Sequence, residues 1–446
     1  MTTIAEAAYL LKTVYLSNDQ IEQFAEDCIL YKLFKKENRW VTKVGAGQGN
    51  TSNTPAAYGM QWPIEDVRNT RVGMYSLSNP QLIPPDGRQG AQAFVNLAAS
   101  HAGILLDAIL FAAAKDKDEA FENVASRNMK VIFEDLQNFE SRVMWGNGNG
   151  VLGTVSSVNT GTGVVTLAAN VAGSFLPLTK FIQPSQYITI LSPTGADRTM
   201  DGILVSATND VAGTFTVPTG GGIGNIVAGD VVVNFQSWVA GATAGIEPIG
   251  LTGIYGNNNT LFGINPTSHS KWIPGTIVTN NTNPTENFLE QMKAYIGIGG
   301  ATPDTILTHP LVVSNYGAGL LTYKRTVNKD EIKGGVKTSN NYQQLEGPEF
   351  IGVGPMIPDS NTPTGSQANT FCMWMGKIDS LFVGEAGPMH WMDEDGQILN
   401  KIIAGASITS PSLAQYVGYL EHFWQIGCYR RKSGAFANNV NMLIAA

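Results

Sequence analysis

The sequence predicts an α+β chain of several domains, organised around one long helix and carrying a separate all-β module of barrel or sandwich type. Three observations predict it. Phe121, Ala125, Met129, Ile132, Leu136, Phe139 and Val143 recur at steps of four and three, which is one face of a helix. At Val151 the character of the chain changes: up to Gly250 the only charged residues are Lys180, Asp197, Arg198, Asp201, Asp210, Asp230 and Glu247, while Val, Thr, Ile and Gly dominate. And at 446 residues the chain is too long for one ordinary core.

In chain order, Ser17 with Gln20 opens a first capped helix, with Ile21, Phe24, Cys28 and Tyr31 on one side and Lys35-Lys36 as its basic end. Residues 40–97 alternate strand-like pieces (Trp40–Val44, Val67–Leu77, Ala91–Leu97) with polar turns, and read as a long hairpin projecting from the body. The long helix follows. Asp116 and Glu119 cap its start, Arg142 sits in its last turn and Gly146 is its expected left-handed stop. From Lys117 to Trp145 it spans about 29 residues, or roughly 43 Å. Val131, Phe133 and Met144 form a second apolar stripe, so cover is expected on more than one side.

Strands of the β module are expected at Thr154–Val158, Val164–Leu167, Tyr187–Leu191, Ile203–Ala207, Thr214–Val217 and Asp230–Phe235. A helix is expected from Thr285 (Phe288, Met292, Tyr295), then a strand at Thr305–Thr308, a helix from Pro310 and strands at Phe350–Val353, Phe371–Met375 and Leu381–Val383. The hairpin Trp391–Ile398 and mainly strand to the end complete the reading.

Composition narrows the function. Hydrophobic residues make up 43% and charged residues 14%, a folded chain with much of its surface expected to be buried between subunits. A net charge of -8 argues against a protein whose whole surface clamps nucleic acid. Cys28, Cys372 and Cys428 are too few and too scattered for a disulfide framework or a metal site, which fits a reducing cytoplasm. The start of the chain lacks a signal-peptide pattern, and the most apolar run, Ala102–Ala114, is too short to span a bilayer, so no membrane partner is expected.

Catalytic signatures are missing. Gly45-Ala46-Gly47-Gln48-Gly49 is followed by no helix, so a flexible loop is the better reading than a dinucleotide loop. Gly220–Gly224 lacks the lysine of a phosphate-binding loop. The five histidines have no ligand spacing, and Asp393–Gly396 reads as a turn, because Ile398 stands where a calcium loop needs its glycine. Arg430-Arg431-Lys432 is the clearest basic cluster and a candidate for phosphate contact, though three charges more often mark a solvated strand end. No catalytic residue, cofactor or metal is assigned.

Several stretches resemble, in order, the major capsid proteins of tailed bacteriophages, in the branch with a β-rich insertion domain. They are Gly87–Leu97 (GRQGAQAFVNL), Met144–Leu152 (MWGNGNGVL), Val227–Val231 (VAGDV), Pro248–Ile254 (PIGLTGI) and Met389–Ile398 (MHWMDEDGQI). The resemblance implies an N-terminal arm at 1–39, an extended loop at 40–97 and the spine helix with the start of the peripheral domain at 98–146. It implies the insertion at 147–250, peripheral domain at 251–284, axial domain at 285–404 and C-terminal peripheral strands at 405–446.

It further implies a virion protein, made in the host bacterial cytoplasm, that assembles with itself as hexamers and pentamers around double-stranded DNA. Its other partners would be a portal, a decoration or cement protein and a separate scaffolding protein, since no long charged helix precedes the arm. A cellular nanocompartment shell keeps the same fold, and a glycan-binding β protein is the reading from another class. Trp62, Ile64, Arg68, Arg71, Met74 and Tyr75 of the extended loop are expected to be covered by an adjacent subunit, because its apolar members cannot form a core among themselves. Phe121, Ile132, Phe133, Leu136 and Phe139 are expected to pack the spine helix.

Overall fold

Local signals decide where several elements begin and end. The Phe288 N–H donates to Thr285 Oγ1 (3.3 Å) and caps a helix over Glu286–Ile298. Leu311 N–H donates to His309 Nδ1 (3.2 Å) at the start of the helix Pro310–Lys324, where proline occupies a position that needs no donor. The long helix closes with Gly146 N–H donating to the Val143 carbonyl (2.9 Å). Its left-handed glycines come later than expected, at Gly148 and Gly150 (φ 87° and 67°).

The computed structural model describes residues 29–37, 59–67, 74, 89–107, 118–168, 179–199, 202–220, 222–235, 237, 245–324, 349–350, 353–367, 369–392, 400–404 and 413–442. Helix α1 (Ile29–Leu33) leads to β1 (Lys35–Glu37), the hairpin β2 (Gly59–Val67) and β3 (Gln89–Asn96), β4 (Ala98–Asp107) and the 28-residue α2 (Asp118–Trp145). The module contains β5 (Val151–Asn159), β6 (Val164–Leu167), β7 (Tyr187–Leu191), β8 (Ile203–Leu204), β9 (Ala207–Asn209), β10 (Thr214–Thr216) and β11 (Val231–Asn234). After α3 (Leu251–Tyr255) come β12 (Ile277–Val278), α4 (Glu286–Ile298), β13 (Thr305–Thr308) and α5 (Pro310–Lys324). The chain then adds β14 (Glu349–Phe350), β15 (Gly354–Pro358), β16 (Thr370–Gly376), β17 (Leu381–Glu385), β18 (His390–Trp391), β19 (Asn400–Ala404), β20 (Leu413–Cys428) and β21 (Gly434–Asn441).

β20 is the axis of one sheet. β4 runs antiparallel along one edge of it, β19, β18 and β17 pair in turn along the other, and β1 adds in parallel outside β17. A second sheet, in the order β12-β21-β16-β13-β15-β14, packs α4 and α5 over Ile306, Met356, Met373 and Met375. The module is a seven-stranded antiparallel path, β8-β7-β11-β5-β6-β10-β9, with its own core of Val155, Val165, Ile188, Ile190, Phe215 and Val232. Among the described residues its end strands β8 and β9 do not pair with each other, so the path stays open rather than closing as a barrel. Its two ends meet: Asn147 bridges Ile249, and a Cβ on Gly245 would sit 2.5 Å from the Gly148 carbonyl oxygen.

Several expectations change. Lys35-Lys36 is not the end of a helix but a strand paired with Phe382–Val383, a partner far along the chain. Gly59–Val67, not singled out in the sequence, is a strand paired with Gln89–Asn96, while Trp40–Val44 and, apart from Val67 and Met74, the expected Val67–Leu77 lie outside the described residues. Ala98–Asp107, whose second half opens the apolar run Ala102–Ala114, is a full strand that the sequence reading did not name. In α4 the inner stripe is Phe288, Leu289, Met292 and Ile296, which turns Tyr295 outward. Strand pairing crosses residue 404, with β17 to β19 joined to β20 and β21 joined to β16 and β12. Local patterns mark these strands, but backbone pairing across the chain sorts them into sheets.

Candidate assembly surfaces and a buried polar junction

Alternation places Met60, Trp62 and Ile64 on one face of β2, with Ala93 and Val95 beside them on β3, and all five are buried. Trp62 meets Phe262 and Phe382 edge-on, with centroids 5.2 and 5.4 Å away, and its Nε1–H donates to the Cys428 carbonyl (3.1 Å). A Cβ on Gly384 would sit 1.6 Å from Met60 Sδ, so a larger residue there would displace the buried Met60 side chain of the hairpin. Trp62 and Ile64 are therefore covered by their own chain, because β2 and β3 pack on the central core instead of forming one of their own. Deleting residues 60–76 would remove core side chains, and a soluble folded remainder is no longer expected. Met74 is fully exposed, while Arg68, Arg71 and Tyr75 lie outside the described residues.

Along α2, Leu136, Val143, Met144 and Trp145 are buried, Ile132 and Phe139 are half-buried, and Phe133 is 38% exposed. The side chain of Phe121 lies outside those described. Phe139 packs against the central core and carries the Arg142 guanidinium 5.0 Å above its ring. Arg142 also donates to Glu247 Oε1 (2.7 Å), as does Ser237 Oγ (2.9 Å), which ties the helix end to the exit of the module. Lys180 Nζ donates to Ser360 Oγ (2.6 Å), a second tie between module and body. Apolar side chains that face outward include Tyr187 and Phe235 in the module, Ile298 in α4, and Tyr419 and Phe423 on β20.

The basic cluster does not present three charges to solvent. Arg431 is fully buried: Nε donates to the Ile254 carbonyl (2.5 Å), Nη1 to the carbonyls of Asn259 (3.0 Å) and Trp272 (3.4 Å), and Nη2 to that of Asn257. Burial lowers its pKa to about 10, which still leaves it charged at neutral pH. Arg430 donates to the carbonyls of Gly299 (2.7 Å) and Gly300 (3.3 Å) just beyond α4. The triplet reads as a solvated strand end in sequence because its carbonyl acceptors are more than a hundred residues away.

A second buried polar group was not legible as a site. His422 on β20 donates from Nδ1 to Glu140 Oε1 on α2 (2.8 Å), and its Nε2 lies 3.6 Å from Glu385 Oε1 on β17. Lys36 of β1 reaches the same Glu385 oxygen (3.3 Å), and Trp424 Nε1 donates to Ser100 Oγ on β4 (2.6 Å) beside them. Burial pushes the Glu140 carboxyl up against the opposing pull of His422. Burial acts to lower the His422 pKa, but its hydrogen bond to Glu140 and the nearby charge of Glu385 outweigh this and raise it. Glu385 is held below the usual carboxylate range, since His422 and Lys36 outweigh its own burial. One signal was available: Glu140 stands four residues after Leu136, on the face that the helix buries.

A cavity of about 250 Å³ is lined by Thr252, Thr279, Pro363, Cys372 and Asn439 among others. It offers no acid or base, and burial pushes the Cys372 thiol up to about 12. Among the described residues no group of three His, Cys, Asp or Glu side chains is placed to hold a metal ion, and no helix is long and apolar enough to cross a membrane.

No protein-family model matches the chain, and no curated protein does. Among solved structures it is similar to the capsid of cyanophage A-1(L), at 10% identity and a TM-score of 0.49, covering 96% of this chain and 99% of that one. It is also similar to an encapsulin complex from Synechococcus elongatus (11% identity, TM-score 0.43, 99% of this chain and 96% of that one). A third is a structure from Gordonia phage Cozz (11% identity, TM-score 0.41, 99% and 94%). Most of the similar structures are tailed-phage capsid proteins. At these identities no residue role passes from them to this chain, and the buried junction rests on its own geometry.

Proposed function

We propose that this chain is the major capsid protein of a tailed bacteriophage, a structural subunit without turnover that assembles as hexamers and pentamers into an icosahedral head around double-stranded DNA. The observation that carries the reading is the order of parts: an N-terminal strand, a hairpin, a 28-residue helix, a module with its own core, then two sheets that share the C-terminal strands. This is the order that the sequence resemblance implies. Fully exposed Met74, together with Arg68, Arg71 and Tyr75, remains the proposed contact of the extended loop with a neighbouring subunit, and Phe133 is its counterpart on the helix. A separate scaffolding protein, a portal and a decoration or cement protein are the proposed partners. Electron microscopy of the purified, expressed chain tests the reading. Closed shells of capsomers are expected; shells that enclose protein cargo in the native source would favour a nanocompartment, and no shells under any assembly condition would refute the proposal.

The module is proposed as an insertion. Its stem is narrow, closed by the Asn147–Ile249 bridge, and its hydrophobic core is separate from that of the body. Replacing residues 151–241 with a short Gly-Ser linker is expected to leave the remainder folded, and the excised piece to unfold cooperatively with a β-type circular dichroism signal. Insolubility of both parts would make the module part of the common core.

A further inference from the structure

Three strands of the first sheet bring a histidine, a glutamate and a histidine into one row. In the antiparallel register His390 of β18 stands opposite Glu421 of β20, and Glu421 stands opposite His101 of β4. Residues opposite each other share a face, so all three side chains leave the sheet on the same side. That side is the outer one. The paired neighbours Ser100 and His422 are buried, and His422 bonds Glu140 of α2, whereas His101 and His390 are exposed and Glu421 is half-buried. On β20 and β4 the rows to either side are apolar: Phe423 pairs with Ala99, and Tyr419 with Gly103. No lysine or arginine stands in these positions to neutralise Glu421.

Such a row has the dimensions of a metal site. Neighbouring strands lie about 4.8 Å apart, so a point above β20 is that far to the side of either outer strand. An imidazole nitrogen with a bond of about 2.0–2.1 Å to metal reaches that point from both sides, and a carboxylate spans the shorter distance from Glu421 below. His390 is already set for this. Its Nδ1 lies 3.2 Å from the Pro388 carbonyl, which can only accept, so Nδ1 carries the proton and Nε2 keeps the lone pair that a metal takes. The Phe423 ring, 6.3 Å from that of His390, walls one side of the row, and the Tyr419 ring, 3.1 Å from where a Cβ on Gly103 would sit, walls the other. As they stand, the three donors are not drawn together round one point. Both histidines are exposed, so a change of side-chain rotamer gathers them without moving the backbone.

We propose that His101, Glu421 and His390 bind one divalent transition ion of the zinc type, through two imidazole nitrogens and one carboxylate oxygen, with the fourth position left to water. Imidazole donors select against calcium and magnesium, which take oxygen ligands. The ion staples β18, held to β20 by two residue pairs, to the two longer strands beside it. No ligand spacing announces the site in the sequence, because each ligand comes from a different strand. The site is formed within one chain, so it stands or falls independently of the shell reading.

The test is calorimetric titration of the full-length unassembled chain, stripped with a chelator and freed of it, with Zn2+ and separately with Ca2+. A single Zn2+ per chain is expected to bind with a dissociation constant in the micromolar range, and Ca2+ is expected not to bind. His101→Ala, His390→Ala and Glu421→Gln should each weaken Zn2+ binding by about tenfold or more, whereas His269→Ala, outside the row, should leave it unchanged. Co2+ in place of Zn2+ should give the visible absorption of a four-coordinate ion in the parent chain and lose it in each of the three variants. The substituted side chains lie on the outer face of the sheet, so circular dichroism of the variants should match the parent and separate lost binding from lost fold. Absence of a stoichiometric Zn2+ site, Zn2+ binding that survives His101→Ala or His390→Ala undiminished, or equal binding of Ca2+ would each overturn the proposal.

Discussion

Arg431→Met is expected to destabilise the unassembled chain by about 4 kcal/mol, a large share of the stability of an ordinary domain. The guanidinium donates to four backbone carbonyls, those of Ile254, Asn257, Asn259 and Trp272, and no carboxylate competes for it among those contacts. Methionine fills similar volume, so the loss is mainly that of the donors, with each buried acceptor left short of a partner adding about 1–3 kcal/mol. Arg431→Lys keeps the charge but replaces a planar five-donor fork with three donors at one point, and should recover only part of the loss. Denaturant midpoints of the soluble chain measure both variants. An Arg431→Met midpoint equal to that of the parent would mean that water replaces the guanidinium, and that the residue is not a structural centre.

Leu136→Asp is expected to cost several kcal/mol and to leave the chain largely insoluble, because it buries a carboxylate with no counter-charge on the inner face of α2. Leu136 is 2% exposed, whereas Phe133, one turn earlier, is 38% exposed. Phe133→Asp should therefore stay within about 1 kcal/mol of the parent as a free chain. If a neighbouring subunit covers that face, the same substitution should still impair assembly, which light scattering under assembly conditions reads separately from stability. Equal destabilisation by the two substitutions would show that the helix is buried all round within its own chain.

The elements that the sequence made legible are those coded by near neighbours. The stripe that includes Leu136 and Val143, the cap at Thr285, the strand Thr305–Thr308, the start at Pro310 and the module strands Val164–Leu167, Tyr187–Leu191, Thr214–Thr216 and Val231–Asn234 follow from spacings of two, three or four residues, whereas the expected strand Ile203–Ala207 divides into β8 and β9 at opposite ends of the sheet path. Periodicity also exposes which face of a strand turns inward, and on β20 the buried Leu420, His422 and Trp424 alternate with the more exposed Tyr419, Glu421 and Phe423 until Gln425, where both faces become buried.

Tertiary structure decided the rest, and the reason is the distance over which partners are supplied. Trp62 is a core residue because Phe262 and Phe382 come to it, although the hairpin alone has too few apolar positions to bury anything. Arg431 is buried and Arg430 is spent on a helix end, although adjacent basic residues read as surface, because their acceptors are backbone carbonyls that no side-chain pattern announces. His422 and Glu140 are 282 positions apart, and burial raises the pKa of one while hydrogen bonding raises that of the other only after helix and sheet have met. A sequence specifies the periodicity of each element by itself, whereas the charge state and burial of a polar side chain depend on desolvation and on partners, and both exist only once the distant segments are packed.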